Sequence, residues 1–222
     1  MSKNRRNSGV GSVLRCLDLC AGLGGFSEAF LRSPHWEVMR IDNNPLLSEV
    51  PNMHMIDILE FRDILSDMIQ RGYQPDKIEL IVASPPCLEF SMGFHAPRAV
   101  ASREGTLDNY APNMEILQAV KDIVQMLNPR YYIIENVKGA VRYFKPFVGQ
   151  YSQRIGAYFF WGKFPTLKVD GSRIPNKSEL DTHNQDPLRA NRRGHIPFEI
   201  SNALKLGIEQ QTTLDNWFAI DF

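Results

Sequence analysis

The run IELIVAS, Ile78–Ser84, constrains this chain most, because it is apolar at almost every position and stops at two prolines, Pro85 and Pro86. A strand without polar alternation needs cover on both faces, the condition of a buried parallel strand. VLRCLDL (Val13–Leu19) also reads as a buried strand, WEVMRID (Trp36–Asp42) and RYYIIENV (Arg130–Val137) as further strands, and HMIDI (His54–Ile58) as a shorter one. Helices are expected between them at Phe26–Arg32, at Phe61–Arg71 and at Asn113–Leu127. The second has Ile64, Leu65, Met68 and Ile69 on one side; the third has a stripe of Ile116, Val120, Ile123, Val124 and Leu127. Strands alternating with helices predict a doubly wound α/β sheet, whose ligands bind beyond the carboxyl ends of the strands. Asp18, Asp42, Asp57, Cys87, Glu135 and Asn136 fall at those ends.

The chain of 222 residues suits one domain, and 25 basic against 25 acidic residues exclude a surface coated in positive charge. A local basic face for nucleic acid remains compatible with that balance. The three cysteines, Cys16, Cys20 and Cys87, include no paired set with zinc spacing, so neither a metal site nor a disulfide framework is expected. No apolar run approaches the ~18 residues of a membrane span, and the polar segment 1–12 lacks the apolar core of a signal peptide. A reducing, cytoplasmic setting is expected, with residues 1–12 as a disordered tail.

LDLCAGLGGF, Leu17–Phe26, is strand, acid, Gly-x-Gly-Gly and helix, a loop that lets backbone approach a ligand. A dinucleotide site would place a third glycine where Ser27 stands. S-adenosylmethionine also carries a ribose but no pyrophosphate. A methyltransferase would use acids after the first three strands for the methionyl amine, the ribose and the adenine, and Asp18, Asp42 and Asp57 fit those places. Turn aspartates at strand ends are the structural alternative for each alone.

The next constellation is chemical. SPPC ends its strand abruptly, since proline cannot continue a ladder. An aromatic after the two prolines would suit amino-group methylation; cysteine suits a ring carbon instead. A thiolate adding to C6 of cytosine turns the ring into an enamine whose C5 can take a methyl group. The addition also needs a proton at N3, and Glu135 in IIENV stands at the end of the following strand. Asn136 is placed to hold the proline loop or the base.

The order DLCAGLGG, RID, DI, SPPCLEFS, IIENV resembles the cytosine-C5 DNA methyltransferases over residues 13–140. The resemblance implies a Rossmann-like class I methyltransferase fold. It implies S-adenosyl-L-methionine as donor, S-adenosyl-L-homocysteine as product, and a cytosine flipped out of double-stranded DNA. By position, Cys87 is the nucleophile and Glu135 the acid, with Asn136 beside it. The cofactor is lined by Asp18, Ala21, Gly22, Leu23, Gly24, Gly25, Phe26, Asp42, Asn43, Asp57, Ile58 and Pro86, with Asn202 completing the pocket. Ser91–Pro112 is the mobile loop over the DNA, where Ser91, His95, Arg98 and Arg103 contact the polymer.

Two departures matter. The sites of the family's base-holding arginines fall on Gly156 and Tyr158, so either Arg154 serves from a shifted place or that role is lost. The catalytic domain spans 13–162, and the recognition segment is reduced to 163–193, with Arg189, Arg192 and Arg193 as backbone contacts. A C-terminal helix over 194–222, entered through Pro197, returns to the catalytic domain. So small an insert predicts a short target sequence, or specificity from a homodimer or a partner subunit. The compact form suits a prokaryotic or viral host cell. A tRNA cytosine methyltransferase, a catalytically silent DNA-binding homologue and a dinucleotide oxidoreductase are the competing readings.

Overall fold

The computed structural model describes residues 13–93, 95–175 and 185–218, with backbone alone for Arg173 and 212–218. The expected tail, 1–12, lies outside the described residues. The chain runs β1 (Leu14–Leu19), α1 (Glu28–Leu31), β2 (Trp36–Asp42), β3 (Met53–Met55), α2 (Ile58–Gln70), β4 (Leu80–Ala83), α3 (Pro97–Arg103), α4 (Glu115–Leu127) and β5 (Tyr131–Asn136). It continues with α5 (Val141–Val148), β6 (Gln153–Ile155), β7 (Tyr158–Lys163), α6 (Arg189–Gly194) and α7 (Phe198–Phe218). One seven-stranded sheet has the order β3-β2-β1-β4-β5-β7-β6. Strands β1 to β5 are parallel and β7 is antiparallel to both its neighbours. This is the doubly wound α/β sheet expected from the apolar runs.

Alternation along the strands supplies two cores. Cys16, Leu80, Val82, Ile133, Tyr158 and Phe160 face α1 and α7, whose Phe30, Ile200, Leu204 and Ile208 cover them. Leu17, Leu19, Ile81, Ala83, Ile134 and Trp161 face α2, α4 and α5. Fully burying Leu117, Val120 and Ile123 of α4 contributes about 1.5–3 kcal/mol per side chain.

Several elements depart from the sequence reading. Helix α2 begins earlier than expected because Asp57 accepts the Leu59 N–H and caps it. That turns Ile58 and Leu65 inward and leaves Ile64 and Met68 at the surface. On α4 the buried face includes Leu117 and Ala119, and Ile116 is only half-buried. Segment 91–112 carries α3 and a 3-10 turn at Leu107–Asn109. Helices α5 and α6 and strand β6 were not expected: α6 is short and arginine-rich, and Pro146 inside α5 masks its amphipathic pattern.

Candidate active site

Strand β4 ends at Ala83, paired with Ile134 of β5, so the segments after them leave the sheet side by side. Pro85 is buried, and its carbonyl accepts the Asn136 side-chain N–H at 2.9 Å. The Asn136 Oδ1 in turn accepts the Val137 N–H at 2.9 Å. Asn136 is fully buried and thus ties the proline loop to the end of β5. Cys87 then opens a 3-10 turn, Leu88–Phe90, in which the Phe90 N–H returns to the Cys87 carbonyl. Phe90 anchors the turn in the core against Phe144 and Tyr143. Cys87 itself is half-buried, and no disulfide is formed among Cys16, Cys20 and Cys87.

Glu135 is 5% exposed and lies on the opposite face of β5 from Asn136. It pairs with Phe160 of β7. Tyr158, on that same face, is fully buried. Burial, and then the charge of Glu135, push the Tyr158 phenol well above its ordinary range. The Tyr158 hydroxyl donates to the His195 carbonyl at 3.1 Å, which ties the segment before α7 to the strand beside Glu135. Arg154 is placed otherwise than expected. It pairs with Phe159, whose own partner is Asn136, and so belongs to the face away from Glu135. It is exposed, donates to Gly156 O at 2.9 Å and covers the Phe159 ring at 5.3 Å. A side chain that alternates to the wrong face of the sheet cannot serve Glu135, which corrects the shifted-arginine expectation.

The glycine loop connects β1 to α1. Gly22 has φ +55° and its N–H donates to Asp42 Oδ2 at 2.9 Å; Asp42 Oδ1 accepts from Asn44 N. The need for glycine at position 24 comes from the chain's own packing. A Cβ there would sit 2.4 Å from the Arg40 guanidinium. Arg40, 1% exposed, donates to Gly24 O and Ser27 Oγ, each at 2.8 Å, and to Pro51 O at 3.1 Å. Ser27 Oγ in turn donates to Asp18 Oδ2 at 2.6 Å. Asp18 is fully buried and its Oδ1 has no hydrogen-bond partner. Burial raises its pKa to about 7 against the opposing pull of Ser27 and Arg40. Ser27, the residue that broke the dinucleotide pattern, is therefore the link between Asp18 and Arg40. The inward charge in WEVMRID was the available signal for Arg40.

Next to this loop, a cleft is lined by Cys20, Ile41, Asp42, Asn43, Ile56, Asp57, Ile58, Pro86 and Ile116. It brings together Asp42, Asn43, Asp57, Ile58 and Pro86 from the sequence prediction and adds Cys20 and Ile116. Asn43 donates to Asp57 Oδ2 at 2.7 Å, which joins the two acidic strand ends. Burial pushes the Cys20 thiol far up, so it lines the cleft as a neutral group. Ala21 and Leu23 belong to the loop itself; the Ala21 N–H donates to Ile41 O at 3.0 Å. Phe26 turns into the core against Phe160, away from the cleft, which corrects its expected place. Asn202 follows Ser201, which bonds Ala29 and Phe26 of the α1 region. Beside the loop stand earlier residues: Asn191 lies 3.5 Å from a Cβ built on Gly22, and His195 and Ile196 lie against Gly25. A wider depression, about 360 Å³, is lined by Arg130, Tyr131, Lys163, Phe164, Pro165 and Gln211. It opens at the start of β5, the opposite end of the sheet from Cys87 and Glu135.

The predicted DNA contacts separate into two groups. Ser91, His95, Arg98 and Arg103 follow the Cys87 turn. Ser91 Oγ accepts the Gly93 N–H, His95 and Arg103 are exposed, and Arg98 is half-buried beside Gly139. Arg189, Arg192 and Arg193 lie on α6, whose Asn191 accepts from Asn44 at 3.3 Å. Arg192 pairs with Asp186 at 2.9 Å. Part of the segment expected for recognition packs on the core: Leu167 is 3% exposed and exchanges two hydrogen bonds with Gln153, and half-buried Phe164, Val169 and Ile174 lie against the same cluster. Residues 176–184 of that segment lie outside the described residues. Among the described residues, no helix is long and apolar enough to cross a membrane.

Two curated proteins resemble the chain. Type II methyltransferase M.HgiGI of Herpetosiphon aurantiacus is 29% identical over 133 residues, covering 57% of this chain and 93% of that protein. Type II methyltransferase M1.HphI of Haemophilus parahaemolyticus is 23% identical over 128 residues, covering 56% of this chain. The match spans only 32% of the length of that Haemophilus protein. The solved structure of Entamoeba histolytica methyltransferase EhMeth overlays at a TM-score of 0.42 with 14% identity, over 79% of this chain and 62% of that one. The description of the C-5 cytosine-specific DNA methylases matches residues 14–145, a stretch that holds the glycine loop, the cleft, the Cys87 turn and Glu135. With more than half of its length matched by that description, the chain belongs to the C-5 cytosine-specific DNA methylase family.

Proposed function

We propose that the protein transfers a methyl group from S-adenosylmethionine to C5 of a cytosine in double-stranded DNA. The observation that carries the reading is the hydrogen bond from Asn136 to Pro85 O, which fixes the Cys87 turn beside the strand end bearing buried Glu135. Type II methyltransferases among the relatives support DNA as substrate and a modification role in a restriction-modification system.

The residues around the cleft suit the adenosine end of the cofactor. Ile56, Ile58, Ile116 and Pro86 offer apolar walls, while Asp42 and Asp57 stand at its rim as acceptors for ribose hydroxyls and the adenine amino group. The loop from Ala21 to Gly25 and the orphaned Asp18 Oδ1 suit the cationic methionyl end. When bound, S-adenosylmethionine supplies an electrophilic methyl group and leaves as S-adenosylhomocysteine.

The chain's own residues do the remaining work. Cys87 sulfur, as thiolate, bonds to C6 of the flipped base, while Glu135 gives its proton to N3 as the ring electrons move to C5. After methylation at C5, the C5 proton leaves to water. The Cys87–C6 bond then breaks to restore the thiolate, and N3 returns its proton to Glu135. Asn136 acts on the proline loop, so it holds the nucleophile in attacking geometry.

Duplex DNA and radiolabelled S-adenosylmethionine test the reading, with bisulfite sequencing to locate the product. Cys87→Ser is expected to abolish transfer while cofactor binding, followed by calorimetry, persists. Label entering tRNA and no cytosine-containing duplex would overturn the DNA assignment. No label in either polymer, from a cofactor-bound protein, would overturn the catalytic reading.

A further inference from the structure

The Cys87 turn is supported from two sides. On the sheet side, Asn136 holds Pro85, and Gly139 packs so closely that a Cβ there would lie 1.9 Å from Phe90 O. On the outer side stands Tyr110, at the far end of the segment that follows the turn. Its hydroxyl meets both the carbonyl of Glu89, at 3.0 Å, and the carboxylate of the same residue. Its ring contacts Tyr143 edge-on at 6.2 Å, and Tyr143 in turn packs on Phe90. Residues 91–109, including α3, are therefore closed into a loop whose two ends meet two residues after Cys87.

From this geometry we infer that Tyr110 is a positioning residue for Cys87, a latch that holds the outer side of the nucleophile turn through Glu89. The inference rests on the reading of Cys87 as nucleophile. Glu89 lies inside the turn whose first residue is Cys87, so releasing its side chain and carbonyl loosens the sulfur's approach to the base. A misplacement of an attacking atom by a fraction of its contact distance lowers kcat. Tyr110 is outside the residues that line the cofactor cleft, so the KM for S-adenosylmethionine should not move. Burial, together with the hydrogen bond to Glu89, raises the Tyr110 phenol far above its ordinary range, so the latch stays protonated throughout neutral pH.

The test is Tyr110→Phe, which keeps the ring against Tyr143 and removes only the hydroxyl. A hydrogen bond to a charged group corresponds to a loss of about tenfold. The expected result is a fall of about that size in kcat at saturating DNA, with KM for S-adenosylmethionine unchanged. Glu89→Gln keeps an acceptor and should retain most of the rate. Glu89→Ala should match Tyr110→Phe, and the double variant should be no worse than either. A second readout needs no activity: tryptic cleavage after exposed Arg103 of α3 should be about tenfold faster in Tyr110→Phe. Wild-type kcat with wild-type cleavage at Arg103, or a loss confined to KM for S-adenosylmethionine, would overturn the latch. If the unaltered protein methylates neither DNA nor tRNA, the catalytic reading fails instead, and the cleavage rate alone decides the latch.

Discussion

Asp18→Asn isolates the energetic cost of the acid beneath the glycine loop. Asp18 is fully buried, one of its oxygens lacks a partner, and its pKa stands at about 7 against the ordinary 3.8. The folded protein therefore keeps this proton over a range in which the unfolded chain has lost it. Between roughly pH 4 and 7 the native state binds more protons, so stability falls as pH rises. The unfavourable contribution is absent below the unfolded value and fully present above about pH 7. A separation of about three pH units at about 1.4 kcal/mol each gives about 4 kcal/mol in all. Asparagine preserves the acceptor for Ser27 but carries no charge. Its amide hydrogens add an offset of about 1–3 kcal/mol for an unsatisfied buried donor, and that offset is independent of pH. The informative quantity is thus the slope of the difference between variant and wild type. Urea unfolding of cofactor-free protein from about pH 5 to 8 should show the variant gaining about 3 kcal/mol relative to wild type. The gain should level off above about pH 7. A difference that stays constant across this range would refute the assignment of a raised pKa to Asp18.

Two further outcomes are expected. Arg40→Met removes donors to Gly24 O, Ser27 Oγ and Pro51 O and breaks the contact with Glu28, so urea unfolding should show a loss of about 3–5 kcal/mol. The same change should weaken S-adenosylmethionine binding in calorimetry, because the glycine loop loses its support. Arg154→Ala should leave methyl transfer within about twofold of wild type and stability within about 0.5 kcal/mol, since the side chain is an exposed surface group on the far face.

The central strands β1, β4 and β5 were legible in the sequence, because a strand covered on both faces must be largely apolar, whereas β2 and β3, nearer the sheet edge, were marked mainly by their place in the alternation of strands and helices. The placement of Asp18, Asp42, Asp57, Cys87 and Glu135 at strand ends followed directly, since the prolines and glycines that stop a ladder are local signals. Cys20 and Ile116 were not legible as cleft residues, because an apolar side chain carries no mark of what it lines. The roles of Ser27 and Arg40 also needed the fold: the network joins residues 18, 27 and 40 across two strands and a helix start. Arg154 shows the limit most clearly. Nearness in sequence suggested a base contact, but a strand sends successive side chains to opposite faces, and only the pairing of β6 with β7 decided which face it took. The sequence by itself thus determined which segments form the five parallel strands, while β6 and the end of β3 at Met55 needed the fold. The tertiary structure alone decided which side chains meet across the strand ends, because hydrogen-bond register and long-range packing join residues that no local pattern connects.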